Sequence, residues 1–126
     1  MIQTYPIFVL DASIDESEID YYQAVDWCYE NLEHSNVLML SEDDIFSSEV
    51  KSILEIVNDV NGSMIAYGEN DWIIDNEIKQ ELIEELEIYA RRRKVTRNEK
   101  SVFIITQLVI LLKVAIATDH NIFFHF

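Results

Sequence analysis

The chain has 126 residues, 49% of them hydrophobic, and a formal net charge of −15 at pH 7. That length and apolar fraction predict one domain, 1–126, with a core of its own, and acids interleaved with Ile, Leu, Val and aromatics exclude a disordered acidic tail. A field of one sign repels nucleic acid and anionic membranes and steers basic partners inward, so direct nucleic-acid binding is not expected.

The charge is graded along the chain. Twelve carboxylates and no Lys or Arg precede Lys51. Residues 51–90 carry ten acids against Lys51 and Lys79, and residues 91–126 carry seven bases against Glu99 and Asp119. The single cysteine, Cys28, excludes an internal disulfide framework and fits a reducing compartment. No basic n-region or cleavage site opens the chain, which points to the cytoplasm. Two glycines, Gly62 and Gly68, leave no phosphate-cradling loop and no glycine-flanked serine elbow.

In chain order, Tyr5–Leu10 is an apolar run closed by Asp11 and predicts a buried strand. Ser13-Ile-Asp-Glu16 matches a capping box and predicts a helix reaching about Glu33. On that helix Ile14, Tyr21, Val25, Cys28 and Leu32 fall on one side, which is expected to face the core. Glu16, Asp20, Gln23 and Glu30 fall on the other, with Trp27 among them. An indole ringed by carboxylates has the composition of an interface anchor inside a steering field.

Asn36–Leu40 predicts a second strand, followed directly by Glu42, Asp43 and Asp44. In a parallel sheet these acids and Asp11 would share the carboxyl edge, where sites of α/β proteins lie. Phe8-Val-Leu-Asp11-Ala-Ser13 resembles the first strand of PIN-type nucleases. That resemblance implies Mg²⁺ or Mn²⁺ held by converging carboxylates for phosphodiester hydrolysis, with Asp119 a further acid. The chain departs from that family at Gln107, where the late helix would carry an acid, and no acid follows the last strand.

Ser47 or Ser48 predicts the cap of a second helix with Val50, Ile53, Leu54, Val57 and Val60 at helical spacing, stopped by Asn61-Gly62. Met64–Tyr67 predicts a third strand, with Trp72–Ile74 a short extension. Tyr67-Gly-Glu-Asn resembles a segment of the barstar family, acidic inhibitors of ribonucleases, and implies that nearby acids enter a ribonuclease site in place of phosphate. Glu69, Asp71 and Asp75 with Trp72 form a second acid-plus-indole patch at that turn.

Asp75 predicts the cap of a third helix carrying Ile78, Leu82, Leu86 and Tyr89 on one face. Its acidic start and basic end, Arg91–Lys94, match the helix dipole, and Glu87 is placed to pair with Arg91. Thr96-Arg-Asn-Glu99 predicts the cap of a fourth helix to about Thr118. From Ser101 to Thr118 the only charge is Lys113, long enough for a membrane span, but Glu99, Thr106 and Lys113 leave a polar stripe. A helix apolar over most of its circumference is expected in the core, or shared with a second copy through 101–118. Ile122–Phe126 predicts a closing strand. His34, His120 and His125 have no metal-ligand spacing, and Cys28 lies on the core side of its helix, so neither metal nor thiol chemistry is indicated.

The order β-α-β-α-β-α-α-β predicts a single α/β domain with a mainly parallel four-stranded sheet, about four helices and a largely buried last helix. The expected function is that of a non-enzymatic acidic inhibitor or immunity-type protein, without cofactor or metal. It would occlude a basic protein partner, a bacterial nuclease toxin, by mimicking nucleic acid. The expected contact residues are Glu16, Asp20, Trp27, Glu30, Glu42, Asp43, Asp44, Glu69, Asp71 and Trp72. The competing readings are a metal-dependent nuclease or phosphatase built on Asp11 and residues 42–44, and an acidic interaction or structural domain of unknown partner.

Overall fold

The computed structural model describes residues 3–126. Four strands, β1 (Tyr5–Val9), β2 (Val37–Leu40), β3 (Asn70–Ile73) and β4 (Ile122–His125), form one sheet in the order β2-β1-β4-β3. Every neighbouring pair is antiparallel, with Tyr5 opposite Leu40, Phe8 opposite Phe123 and Trp72 opposite Phe123. The mainly parallel sheet expected from the alternating element order is therefore wrong. The physical reason lies in the connections. The excursion through residues 11–36 leaves the sheet beside Val9 and returns at the same end, where the Val9 N–H donates to the Asn36 carbonyl at 3.0 Å. A connection that returns to the end it left can only make an antiparallel neighbour. The last strand then enters between β1 and β3 and separates the two strands that run the same way.

The helices are α1 (Tyr21–Glu30), α2 (Glu42–Ile45), α3 (Ser48–Asn61), α4 (Asn76–Ala90), α5 (Arg93–Thr96) and α6 (Glu99–Thr118), six rather than about four. The period-2 pleat sends β1 residues to two different cores. Tyr5, Ile7 and Val9 join Ile122, Phe124 and the buried faces of α3, α4 and α6 in the larger one. Phe8 and Leu10 join Phe123, Ala24 and Cys28 of α1 in the smaller one. The result is three layers, with α1 alone on one face of the sheet.

Helix α6 occupies the interior of the helical layer, where Leu108, Leu112 and Ala115 are fully buried. By length and composition it could cross a membrane, with a mean hydropathy of 2.2, yet it packs on α3, α4, α5 and β1. Glu99, Thr106 and Lys113 are exposed along it as expected, but so are Val102, Phe103 and Ile110.

Local chemistry shifts several predicted boundaries. Ser13 caps nothing: its N–H and hydroxyl both donate to Asp11. A 3-10 turn at Glu16–Glu18 follows, and the true cap of α1 is Asp20, which accepts from the Gln23 N–H at 2.8 Å while Gln23 accepts from the Asp20 N–H at 2.9 Å. Ser41 caps the unpredicted turn α2, and Asn98, not Thr96, caps α6. Met64–Tyr67 is not a strand. Ile65 enters the core while its N–H and carbonyl are held by the Asn58 side chain at 2.7 and 3.0 Å, so it needs no strand partner. Ser47, Gly62 and Asp75 bound α3 and α4 as predicted, with Gly62 left-handed at φ 67°.

Candidate protein-recognition surface

Helix α1 is capped at Asp20 and ends at Asn31, so only residues 21–30 follow helical phase. Ala24 and Cys28 face the sheet, Tyr21, Val25 and Trp27 flank them, and Leu32, beyond the helix end, is 46% exposed. The arc expected to face inward is therefore rotated toward Trp27. The Trp27 ring packs on Phe8 and on His34, with centroids 6.4 and 5.2 Å away. Trp27 belongs to the edge of the smaller core rather than to the centre of an outward acidic face.

What α1 presents to solvent is Tyr22, Gln23, Asp26, Tyr29 and Glu30, continued by Glu33. Asp26 and Glu30 lie one turn apart, roughly 6 Å along the axis at 1.5 Å per residue. Tyr22, 77% exposed, and Tyr29 sit among them. These two tyrosines were missed by the sequence reading. Their signal was the i, i+4 and i+7 relation to Asp26 and Tyr29 on a helix begun at Asp20. No element on this face of the sheet, residues 11–36, 70–73 or 119–126, contains Lys or Arg.

Three of the predicted contact residues meet at one place. Glu16, Asp20 and Trp72 line a shallow cleft between the entrance to α1 and β3, floored by Tyr21, Asn121 and Phe123. Both Glu16 carboxylate oxygens accept from the Asn121 N–H at 3.0 Å, which ties the turn to β4. Tyr21 stands 5.5 Å from Trp72, and its hydroxyl bonds His125 Nδ1. Burial, with Tyr29 and Tyr22 nearby, pushes the Tyr21 hydroxyl up to about 12, and burial lowers His125. This aromatic wall is therefore neutral at physiological pH.

The other predicted residues lie apart. Glu30 is exposed further along α1. Glu42 and Asp43 are exposed in the first turn of α2, while Asp44 closes the Ser41 capping box and pairs with Lys100 at 3.4 Å. Glu69 is exposed in the turn before β3, and Asp71 accepts from the Trp72 N–H at 2.8 Å. Asp11 and residues 42–44 are at opposite ends of the sheet, since Tyr5 pairs with Leu40 and Phe8 with Val37. The shared carboxyl edge needed by the metal-hydrolase reading does not form. Among the described residues no group of three or more His, Cys, Asp or Glu is placed to hold a metal ion. Asp11 is instead a structural acid, drawn down to about 2 first by the Ser13 hydroxyl, then by the Ser13 N–H and His34, which is 3.1 Å away. Asp119 bonds Asn76. Burial pushes the Cys28 thiol up to about 12, so it is no nucleophile at neutral pH.

Among the described residues Lys100–Asp44 is the only ion pair between a Lys or Arg and a carboxylate, His34 hydrogen-bonds Asp11, and the expected Glu87–Arg91 pair does not form. Most of the 24 carboxylates thus face solvent without a fixed counter-charge. Arg92 stacks over Tyr89 at 5.4 Å, and the basic cluster stays at the α4–α6 end of the helical layer, away from α1.

The chain is thus an antiparallel three-layer α/β domain whose α1 face carries carboxylates and tyrosines and no Lys or Arg. No protein-family model matches the chain. It is 25% identical over 122 residues to the DNA mimic protein DMP12 of Neisseria meningitidis serogroup B, across 95% of this chain and 94% of that protein. The solved structure of the Neisseria DNA mimic protein DMP12 superposes with a TM-score of 0.77 at 20% identity, covering 98% of this chain and all of that one. The two chains share a fold.

Proposed function

We propose that this protein is a DNA mimic whose α1 face occupies the DNA-binding surface of a basic protein. It is a binder and not an enzyme. The observation that carries the reading is the base-free face of α1 with its exposed carboxylates and tyrosines, supported by full-length similarity to a DNA mimic protein. A surface that reads DNA is built to meet closely spaced negative charge and does so largely through phosphate contacts. Unpaired carboxylates on a rigid helix offer that charge without a sugar–phosphate backbone.

The finer form of the proposal makes the partner a bacterial nuclease toxin and this chain its cytoplasmic immunity protein. A nuclease cleft must be basic to hold phosphates, and a competing acid face gains association rate from steering. A homodimer through residues 101–118 forms no part of this reading. The test is affinity capture from the host with this chain as bait, eluting with double-stranded DNA. Elution of a basic protein by DNA supports the mimic, and inhibition of that protein's nuclease activity supports the finer form. Captured proteins that stay bound under saturating DNA overturn both.

A further inference from the structure

We infer that the cleft between the entrance to α1 and strand β3 is the anchor of this surface, holding an arginine of the partner between the Trp72 indole and the Glu16 and Asp20 carboxylates. The inference rests on the mimic reading and adds which residues grip and what they grip.

Three observations lead there. First, Trp72 is 40% exposed on an edge strand, with one side backed by Tyr21 and Phe123 at 5.5 and 6.4 Å. The Tyr21 hydroxyl is already bonded to His125, so the wall is set before any partner arrives. Second, the acids are pre-positioned yet not saturated. Glu16 is tied to the Asn121 N–H, and Asp20 uses only Oδ1 on the Gln23 N–H, leaving Oδ2 without a partner among the described hydrogen bonds. Third, no cation of the chain competes for the site. Lys79, whose charge Glu16 shares with Asp119 and Asp75, makes no ion pair with Glu16: it is fully buried and donates to Asn76 Oδ1 at 2.8 Å and the His120 carbonyl at 2.6 Å.

An open slot with an indole on one side and carboxylates on the other suits a planar cation. Guanidinium stacks on an aromatic face while its edge donates two parallel hydrogen bonds, whereas ammonium is a more strongly hydrated point charge. Arginine is also the residue that DNA-binding proteins use most for phosphate and groove contacts. A mimic that binds it by stacking gains contact that a phosphate does not provide.

The test uses the wild-type chain at low salt and two probes, an arginine nonapeptide and a lysine nonapeptide, with NMR detection of the two indole N–H signals. The arginine peptide is expected to shift the Trp72 signal saturably, leave Trp27 nearly still, and bind about fivefold tighter than the lysine peptide. Trp72→Ala and Asp20→Asn should each remove most of that preference; Asn retains capping ability, so the second variant keeps α1 intact. The triple variant Glu81→Gln, Glu84→Gln, Glu85→Gln on α4 should keep the preference. An arginine preference that survives both cleft variants, or a Trp72 signal that does not move, overturns the inference while leaving the acidic surface standing. If neither peptide binds at any salt concentration, the mimic reading itself fails.

Discussion

Replacing Trp27 by Ala asks whether this indole is a surface anchor or a wall of the smaller core. A tryptophan offers roughly 150–250 Å² for burial, and Trp27, partly buried against the smaller core, removes a large part of it, roughly 100–170 Å², from water. At about 25 cal/mol per Å² that is a loss of roughly 2.5–4 kcal/mol, near the lower part of the roughly 3–5 kcal/mol seen when a fully buried Trp is truncated. The contacts that disappear are with Phe8 and His34, the latter also bonded to Asp11. Urea unfolding followed by circular dichroism should show the midpoint falling by roughly 1–2 M for an m-value of about 2 kcal/mol/M. Partner association by the folded fraction should change little, since Trp27 is turned toward the sheet. Trp72→Ala should show the opposite balance, with a smaller stability loss and a larger binding loss. A Trp27→Ala protein less than about 1.5 kcal/mol weaker than wild type, yet poor at binding, would refute the assignment of Trp27 to the core.

Other outcomes follow from the same geometry. Leu112→Ala, at a fully buried position of α6, should cost about 2–5 kcal/mol in denaturant unfolding, because the three packed helices cannot close the cavity. Gly62→Ala should lower stability by about 1 kcal/mol, since φ 67° strains any residue with a Cβ although no atom lies within 4 Å of it. His125 is held below its ordinary value of 6.5 by burial, so its contribution to stability is full above pH 6.5 and is lost as pH falls toward its folded value. His125→Phe should flatten the stability profile below about pH 6.5, and an unchanged profile would remove His125 from the account. Association with the basic partner should slow at least about tenfold between low and high salt, and Asp26→Lys with Glu30→Lys should slow it further at unchanged melting temperature.

The sequence alone carried much of what depends on neighbours a few residues apart, though not the Asp20, Ser41 and Asn98 caps. Asp75 and Ser47 place an acceptor over free N–H groups, Gly62 takes the left-handed turn, and the spacing of Val50, Ile53, Leu54 and Val57 marks the buried stripe of α3. The same local logic expected a largely buried α6, but although Leu108, Leu112 and Ala115 are fully buried, Val102, Phe103 and Ile110 stay exposed. It also named Glu16 and Asp20 on one helix face and Trp72 at a later turn, with nothing to join the two.

Tertiary structure decided the rest. Strand direction depends on which strands pair, and β4 is over a hundred residues from the β1 strand it adjoins, so no local signal specifies it. The antiparallel β1–β2 pairing separates Asp11 from residues 42–44, and the β1–β4–β3 pairing brings Trp72 beside Asp20. The inward arc of α1 likewise turned on which of two plausible caps was used. Ser13 hydrogen-bonds Asp11 at the strand end and Asp20 starts the helix, so Ile14 and Leu32 drop out of the helical stripe and Ala24 and Cys28, flanked by Trp27, define the inward side. Capping signals compete locally, but the choice between them is made by the apolar surface each phase buries against the sheet.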